Sequence, residues 1–183
     1  MRIIAGMARG RTFDAPEGMG TRPTLDRVRE NVFNILQMKV RGAAVLDLFS
    51  GSGAMAFEAL SRGAESAVLV DRDRSAHQVQ QRNAQKLRMD GQCRILLSDW
   101  QEALRRLQQE GARFQVVLLD PPYSMHDMTP VFAALRPLLT ADAVILLEHE
   151  AKTFPAIADG YELYDSRKYG VAGVSFFRPV EQL

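Results

Sequence analysis

The run Val45-Leu46-Asp47-Leu48-Phe49-Ser50-Gly51-Ser52-Gly53 decides how the whole chain is read. Val45, Leu46, Leu48 and Phe49 form a nearly unbroken apolar stretch, as expected of a central parallel strand covered on both faces. Gly51 and Gly53 allow a sharp turn and a close approach of backbone to ligand. Residues 54–62 read as a helix, with Gly63 as its stop. A strand, a glycine turn and a helix N-terminus together make a site for a nucleotide-type cofactor. The residues also satisfy the dinucleotide pattern GxGxxA through Gly51, Gly53 and Ala56. Asp47 points away from a dinucleotide, because diphosphate sites favour backbone amides and no nearby anion. A carboxylate in the strand end suits a cofactor with a cationic amino group, such as S-adenosylmethionine, better than NAD.

Downstream, strands and helices alternate. Residues 66–71, 93–97, 114–119 and 143–147 read as strands, with helices near 75–89, 100–110 and 128–139 between them. This alternation predicts a parallel sheet with right-handed crossovers. Residues 161–167 and 174–178, joined by a loop holding Gly170 and Gly173, read as a hairpin, so the sheet ends with one antiparallel strand. The predicted fold is therefore α/β: a Rossmann-like seven-stranded sheet of the methyltransferase type, six strands parallel and one reversed. Residues 1–41 are expected to form a basic arm and a helix, and residues 42–183 a single compact unit. In the arm, Arg2–Gly6 and Gly10–Phe13 suggest a short hairpin, and Pro16, Gly18 and Gly20 a loop. Thr24 is the expected cap of a helix carrying Leu25, Val28, Val32, Ile35 and Leu36 at helical spacing.

The 183 residues suffice for one domain with a substantial core. The single cysteine, Cys93, leaves no internal disulfide and sits among strand residues, which reads as a structural thiol. No apolar run reaches the ~18 residues of a membrane span, and residues 1–20 lack the apolar centre of a secretory signal. The expected compartment is the cytoplasm, with no membrane contact and no metal. The net charge of +1 conceals an asymmetry: residues 1–41 hold eight basic and four acidic side chains, the remainder fifteen and eighteen. A basic end on a mildly acidic body suggests a polyanionic partner.

In an open sheet of this kind, ligands bind at the carboxyl ends of the strands. Asp47 ends the first strand, with Phe49 beside it. Asp71, followed by Arg72, ends the second, where an acid can accept from ribose hydroxyls. Asp99 ends the third and precedes Trp100, so a carboxylate for the adenine amine stands beside an apolar cover. Each Asp alone is equally well explained as a helix cap; three at successive strand ends favour the cofactor.

The fourth strand runs into Asp120-Pro121-Pro122-Tyr123. The prolines fix the backbone and carry no amide donor, which leaves their carbonyls as acceptors. Asp120 adds a carboxylate and Tyr123 an aromatic face. The set suits a planar base presenting an exocyclic amine, held by hydrogen bonds that free its nitrogen lone pair for a methyl sulfonium. Positioning supplies most of such an acceleration.

Asp120–Tyr123 resembles the [D/N]PP[Y/F/W] signature of methyltransferases acting on exocyclic base amines. The wider chain resembles the bacterial 16S rRNA (guanine(966)-N2)-methyltransferase family. The likeness runs through Arg2–Gly6, Thr21–Thr24, Arg27–Leu36, Asp47–Gly53, Glu58–Ala64, Asn83 and Lys168-Tyr169-Gly170. Ala56, Asp71 and Trp100 stand where that family usually has glycine, glutamate and a small residue. The resemblance implies S-adenosylmethionine as cofactor and 16S ribosomal RNA as substrate, within an assembling small subunit. It also implies that Thr21–Thr24 closes over the methionine end of the cofactor, with Thr21 and Arg22 as binding residues; a monomer is expected.

On this reading Asp120, Pro121, Pro122 and Tyr123 carry the reaction. Arg2, Arg9 and Arg11 dock the RNA, with Arg167, Lys168 and Tyr169 as further candidates. The competing readings are a DNA adenine-N6 methyltransferase, for which the chain leaves little room for target recognition, and a non-catalytic RNA-binding assembly protein on the same scaffold. An NAD-dependent oxidoreductase is disfavoured by Asp47 and by the lack of an evident acid for hydride transfer.

Overall fold

The computed structural model describes residues 1–15 and 23–180, and within its first helix the side chains from residue 26 onward. The expected loop at Pro16, Gly18 and Gly20, the residues Thr21 and Arg22, and the side chain of Thr24 lie outside this set. The first helix, α1 (Pro23–Val40), starts one residue before the expected cap, with proline in the first turn, where its missing N–H costs nothing.

Seven strands form one sheet: β1 (Ala44–Leu48), β2 (Ser66–Asp71), β3 (Cys93–Leu97), β4 (Phe114–Leu119), β5 (Leu139–Glu150), β6 (Tyr161–Tyr169) and β7 (Ala172–Pro179). Their order is β3-β2-β1-β4-β5-β7-β6. Only β7 runs against its neighbours β5 and β6, so six strands are parallel and one is reversed, as the pattern predicted. The chain winds outward from β1 through β2 to β3, then returns to β4 on the other side of β1. Ligand crevices open at such a reversal.

Apolar side chains alternate between two cores, one on each face of the sheet. On one face Val45, Val116, Leu118, Val144, Leu146 and Phe176 meet α1, α2 (Ala54–Ser61) and α3 (Arg74–Leu87). On the other, Leu46, Leu48, Val117, Leu119, Ile145 and Leu147 meet α4 (Trp100–Gln109) and α5 (Thr129–Leu135). Asp47, between Leu46 and Leu48, must therefore face the α1–α2 side. A short 3-10 turn, Arg136–Leu138, completes the predicted helix before β5. Strand β5 extends three residues past the predicted end at Leu147, to Glu150, because antiparallel pairing with β7 continues from Leu147–Ser175 to Glu150–Ala172.

The N-terminal hairpin is shorter than expected. It closes on one antiparallel bridge, Arg2 to Thr12, with Gly10 N–H donating to the Ile3 carbonyl and Phe13 N–H to the Met1 carbonyl. It holds because it docks. Glu58, fully buried in an otherwise apolar helix, accepts from Ile4 N–H (2.9 Å), Ala5 N–H (3.1 Å) and Arg62 Nε (2.8 Å). Ser61 Oγ donates to the Ala5 carbonyl at 2.6 Å and accepts from Ala8 N–H at 3.0 Å. Gly6 lies so close that a Cβ there would overlap the Ser61 carbonyl. Ile3, Ala8 and Phe13 are buried in the same core as α1 and α2, so the hairpin is packed against the sheet domain and does not project from it.

Candidate active site

The β1 end is built as a ligand turn. Phe49 has φ 69, a left-handed conformation that costs a non-glycine residue roughly 1–2 kcal/mol and that concentrates at functional sites. Gly53, at φ 81, heads α2, and a Cβ there would lie 2.5 Å from the Phe57 ring and 2.8 Å from a Leu69 methyl. Since Gly53 offers no capping side chain, Asp47 acts from inside β1: its Oδ2 accepts from Ala56 N–H at 3.1 Å.

Asp71 closes the turn from the β2 end, accepting from Gly51 N–H at 2.8 Å and Asp73 N–H at 2.9 Å. Two buried amides of α3, not foreseen as turn supports, clamp the far side. Gln80 Nε2 donates to Ser50 Oγ (2.9 Å) and to the Gly51 carbonyl (2.7 Å). Asn83 Nδ2 donates to the Ser52 carbonyl (3.1 Å) and the Asp14 carbonyl (2.9 Å), tying the N-terminal segment to the turn.

A cleft of about 980 Å³ opens where β1 and β4 diverge. Phe49, Gly51, Asp71, Arg72, Asp99 and Trp100 line one end, and Asp120, Pro121, Pro122 and Tyr123 the other, with Asp47 between them. Gly53 lies beneath the turn, outside the lining, in a supporting role. Asp99, in this lining, is also the cap of α4, accepting from Glu102 N–H at 3.0 Å. Asp73 caps α3 through Ser75 and Ala76 N–H and is not in the cleft's lining. Met1, Val28, Arg29 and Val32 form a wall from the N-terminal segment and α1.

The cleft concentrates negative charge in a place that does not solvate it. Asp47 is 2% exposed. Burial pushes its carboxyl up to about 8, the Ala56 amide offsets part of that, and the charges of Asp120 and Asp71 add to it. Asp120 is raised to about 6 by protein crowding around it, although its side chain stays open to the cleft. Glu148, on β5, is also in the lining and is raised by burial and then by the Asp120 charge. Tyr123, 47% exposed, has its hydroxyl raised by burial first and then by Glu148, Asp120 and Glu150. Such a cluster fits a ligand that brings positive charge: buried carboxylates are costly alone and favourable once paired.

The loop after β4 is a turn. The Pro122 carbonyl accepts from Met125 N–H at 2.8 Å, which engages one of the two carbonyls expected to face a ligand. The Pro121 carbonyl receives no hydrogen bond among the described residues. Cys93 lies in β3 with its thiol pushed up to about 11 by burial, as befits a structural residue.

The basic candidates fall in two places. Arg2 and Arg9 are exposed on the docked hairpin, whereas Arg11 donates to the Leu87 carbonyl at 3.2 Å. Arg167, Lys168 and Tyr169 end β6 at the cleft's rim, in the rows that run through Val174, Gly173 and Ala172 to Glu148, His149 and Glu150. Arg167 pairs with Asp165 at 2.9 Å. Among the described residues no helix is long and apolar enough to cross a membrane.

A family model described as conserved hypothetical protein 95 matches residues 1–178. The chain is similar to YlbH of Bacillus subtilis strain 168, with 33% identity covering 97% of this chain and 98% of that one. It is similar to the Escherichia coli strain K12 protein named ribosomal RNA small subunit methyltransferase D, with 35% identity covering 93% and 85%. The solved structure of Escherichia coli yhhF matches with a TM-score of 0.84, 34% identity, and coverage of 100% and 99%.

Proposed function

The chain belongs to the conserved hypothetical protein 95 family and is an S-adenosylmethionine-dependent ribosomal RNA methyltransferase, and we propose that its target is the exocyclic N2 amine of a guanine in 16S RNA. The observation that carries this reading is the cluster of Asp47, Asp71 and Asp120 beside Pro121-Pro122-Tyr123 at the sheet's reversal point.

S-adenosylmethionine supplies an electrophilic methyl group and two positive centres. Asp47 offers the buried anion for its amino group. Asp71, whose two oxygens each keep a free lone pair after accepting one amide, is placed for ribose hydroxyls. Arg72, Asp99 and Trp100 frame the adenine end. Thr21 and Arg22 are proposed, from the family resemblance, to close the methionine end.

At the other end Asp120 and the Pro121 carbonyl accept from the base amine, and Tyr123 stacks on its ring. No strong general base is needed, since the amine proton becomes acidic as the methyl group arrives and a carboxylate already hydrogen-bonded to it can take it. Guanine is favoured because its N1–H and N2–H donors are adjacent, so one carboxylate accepts from both. Arg2 and Arg9 on the hairpin, with Arg167, Lys168 and Tyr169 on β6, hold the RNA, while Arg11 is engaged by the Leu87 carbonyl. The phosphate contacts position it without reading sequence. The proposed setting is an assembling small subunit in the cytoplasm, met by a monomer.

The test is label transfer from methyl-labelled S-adenosylmethionine to 16S RNA, to small subunits lacking the modification, and to duplex DNA. Label in RNA and none in DNA supports the reading. Label in DNA alone contradicts it.

A further inference from the structure

Strands β4 and β5 run parallel and in register, with Leu118 beside Leu146 and Leu119 beside Leu147. Asp120 is the residue immediately after β4, and Glu148 the next residue of β5. Leu119 and Leu147 share one core, so by alternation Asp120 and Glu148 turn to the opposite face, the face of Asp47. Both line the cleft. Glu148 also borders a small recess that it shares with Pro121, Pro122 and Tyr123, so it lies beside the reacting end in two cavities.

We propose that Glu148 is the group through which Asp120 sheds the amine proton as the methyl group is transferred. The inference rests on the functional reading above and adds a residue to it. The balance is simple. The amine nitrogen bonds the methyl carbon as the carbon–sulfur bond breaks, and that electron pair stays on sulfur. As it does so, the nitrogen, becoming cationic, gives one proton to the Asp120 carboxylate. Asp120 hands it to the Glu148 carboxylate, which releases it to water in the cleft. The products are a neutral methylated amine, a neutral thioether and one proton in solvent.

Glu148 is half-buried where Asp120 is exposed, so burial favours Glu148 as the holder of that proton. Burial and the neighbouring Asp120 charge set the Glu148 carboxyl at about 8. The other ionisable groups around it are Tyr123 and His126 in the loop after β4, His149 and Glu150 on its own strand, Asp47 on β1 and Arg29 on α1. Its neighbour on β7 is uncharged Val174, and beyond that Arg167 of β6 is held by Asp165. No cation is recorded within salt-bridge distance of Glu148 among the described residues, so its charge is free to change during turnover.

The experiment compares wild type, Glu148→Gln and Glu148→Asp in single-turnover methyl transfer to 16S RNA as a function of pH. Calorimetry with S-adenosylmethionine and carbon-13 carboxyl titration of the ligand-free proteins accompany it. The wild-type rate is expected to rise through a limb near pH 8, where the Asp120–Glu148 pair loses its shared proton. Glu148→Gln should lose that limb and fall roughly 10²-fold, the lower end of what a positioned proton acceptor contributes. Its cofactor affinity should be unchanged, and its titration should show one high carboxyl fewer. Glu148→Asp should keep the limb. A Glu148→Gln enzyme with the wild-type rate and limb overturns the inference alone. So does a slower enzyme whose pH profile keeps its shape, since that marks a structural role. If Glu148→Gln does not fold, a Glu148→Asp profile without the limb overturns it. A wild type that transfers no methyl group to RNA defeats the functional reading and the inference with it.

Discussion

Replacing Asp47 by asparagine should make the ligand-free protein more stable and a worse binder of its cofactor. Asp47 is 2% exposed and its carboxyl moves from an ordinary 3.8 to about 8 on folding. Folded protein thus binds this proton more tightly than unfolded chain does. Stability is greatest below the unfolded value and declines as pH rises through the folded one. Each pH unit in that window costs about 1.4 kcal/mol, or about 4 kcal/mol by neutral pH. Asparagine carries no such cost. Its Oδ1 keeps the Ala56 amide, and its NH2 has Asp71 and Asp120 nearby as acceptors. After imperfect geometry, a net gain of about 2–4 kcal/mol is expected, or roughly 5–15 °C in Tm for a chain of this size.

The gain should shrink as pH falls towards the ordinary carboxylate range. Affinity for S-adenosylmethionine should fall about 10–100-fold, because a charge-assisted hydrogen bond contributes about 1.5–3 kcal/mol. Thermal unfolding across pH, with calorimetry on both proteins, checks all three effects. The reasoning is refuted if the variant is no more stable than wild type at neutral pH, or if it binds the cofactor equally well.

Gly53→Ala should destabilise by about 2–5 kcal/mol in denaturant unfolding, since left-handed strain adds to overpacking against Phe57 and Leu69. Gly51→Ala, whose Cβ would meet nothing within 4 Å, should cost only the strain of about 1–2 kcal/mol. Asp120→Ala and Tyr123→Ala should each lower single-turnover methyl transfer by about 10²–10³-fold, with cofactor affinity nearly unchanged in calorimetry, by analogy with loss of one preorganised hydrogen bond. Replacing Arg2 and Arg9 together should flatten the slope of log K against log salt for RNA by about 1.4, at roughly 0.7 per phosphate contact. Adding Arg11, which already serves the Leu87 carbonyl, should change that slope little.

The parts of the fold that follow from local pattern were legible in the chain. Val45–Gly53 declares its strand and turn because the apolar run and the glycines act within nine residues. Asp120–Tyr123 is equally local. What depends on partners distant in sequence was not. Glu58 reads as one polar residue in an apolar helix, and only the docked backbone of Ile4 and Ala5 explains why a carboxylate is buried there. Gln80 and Asn83 lie on a polar-looking helix whose buried side is visible only once the turn stands above it. Glu148 was missed because the apolar run ends at Leu147, while the strand continues through its pairing with β7. The left-handed Phe49 carries no sequence signal, since its strain is imposed by the turn that follows.

The central claim is a chemical one: that this cleft methylates the N2 amine of guanine in small-subunit RNA. It is tested most directly by digesting 16S RNA after reaction with the enzyme and deuterated S-adenosylmethionine, then identifying the labelled nucleoside by mass spectrometry. The account predicts labelled N2-methylguanosine at one position, absent with Asp120→Ala. Label recovered as N6-methyladenosine, or N2-methylguanosine formed equally well by the Asp120→Ala enzyme, would contradict it.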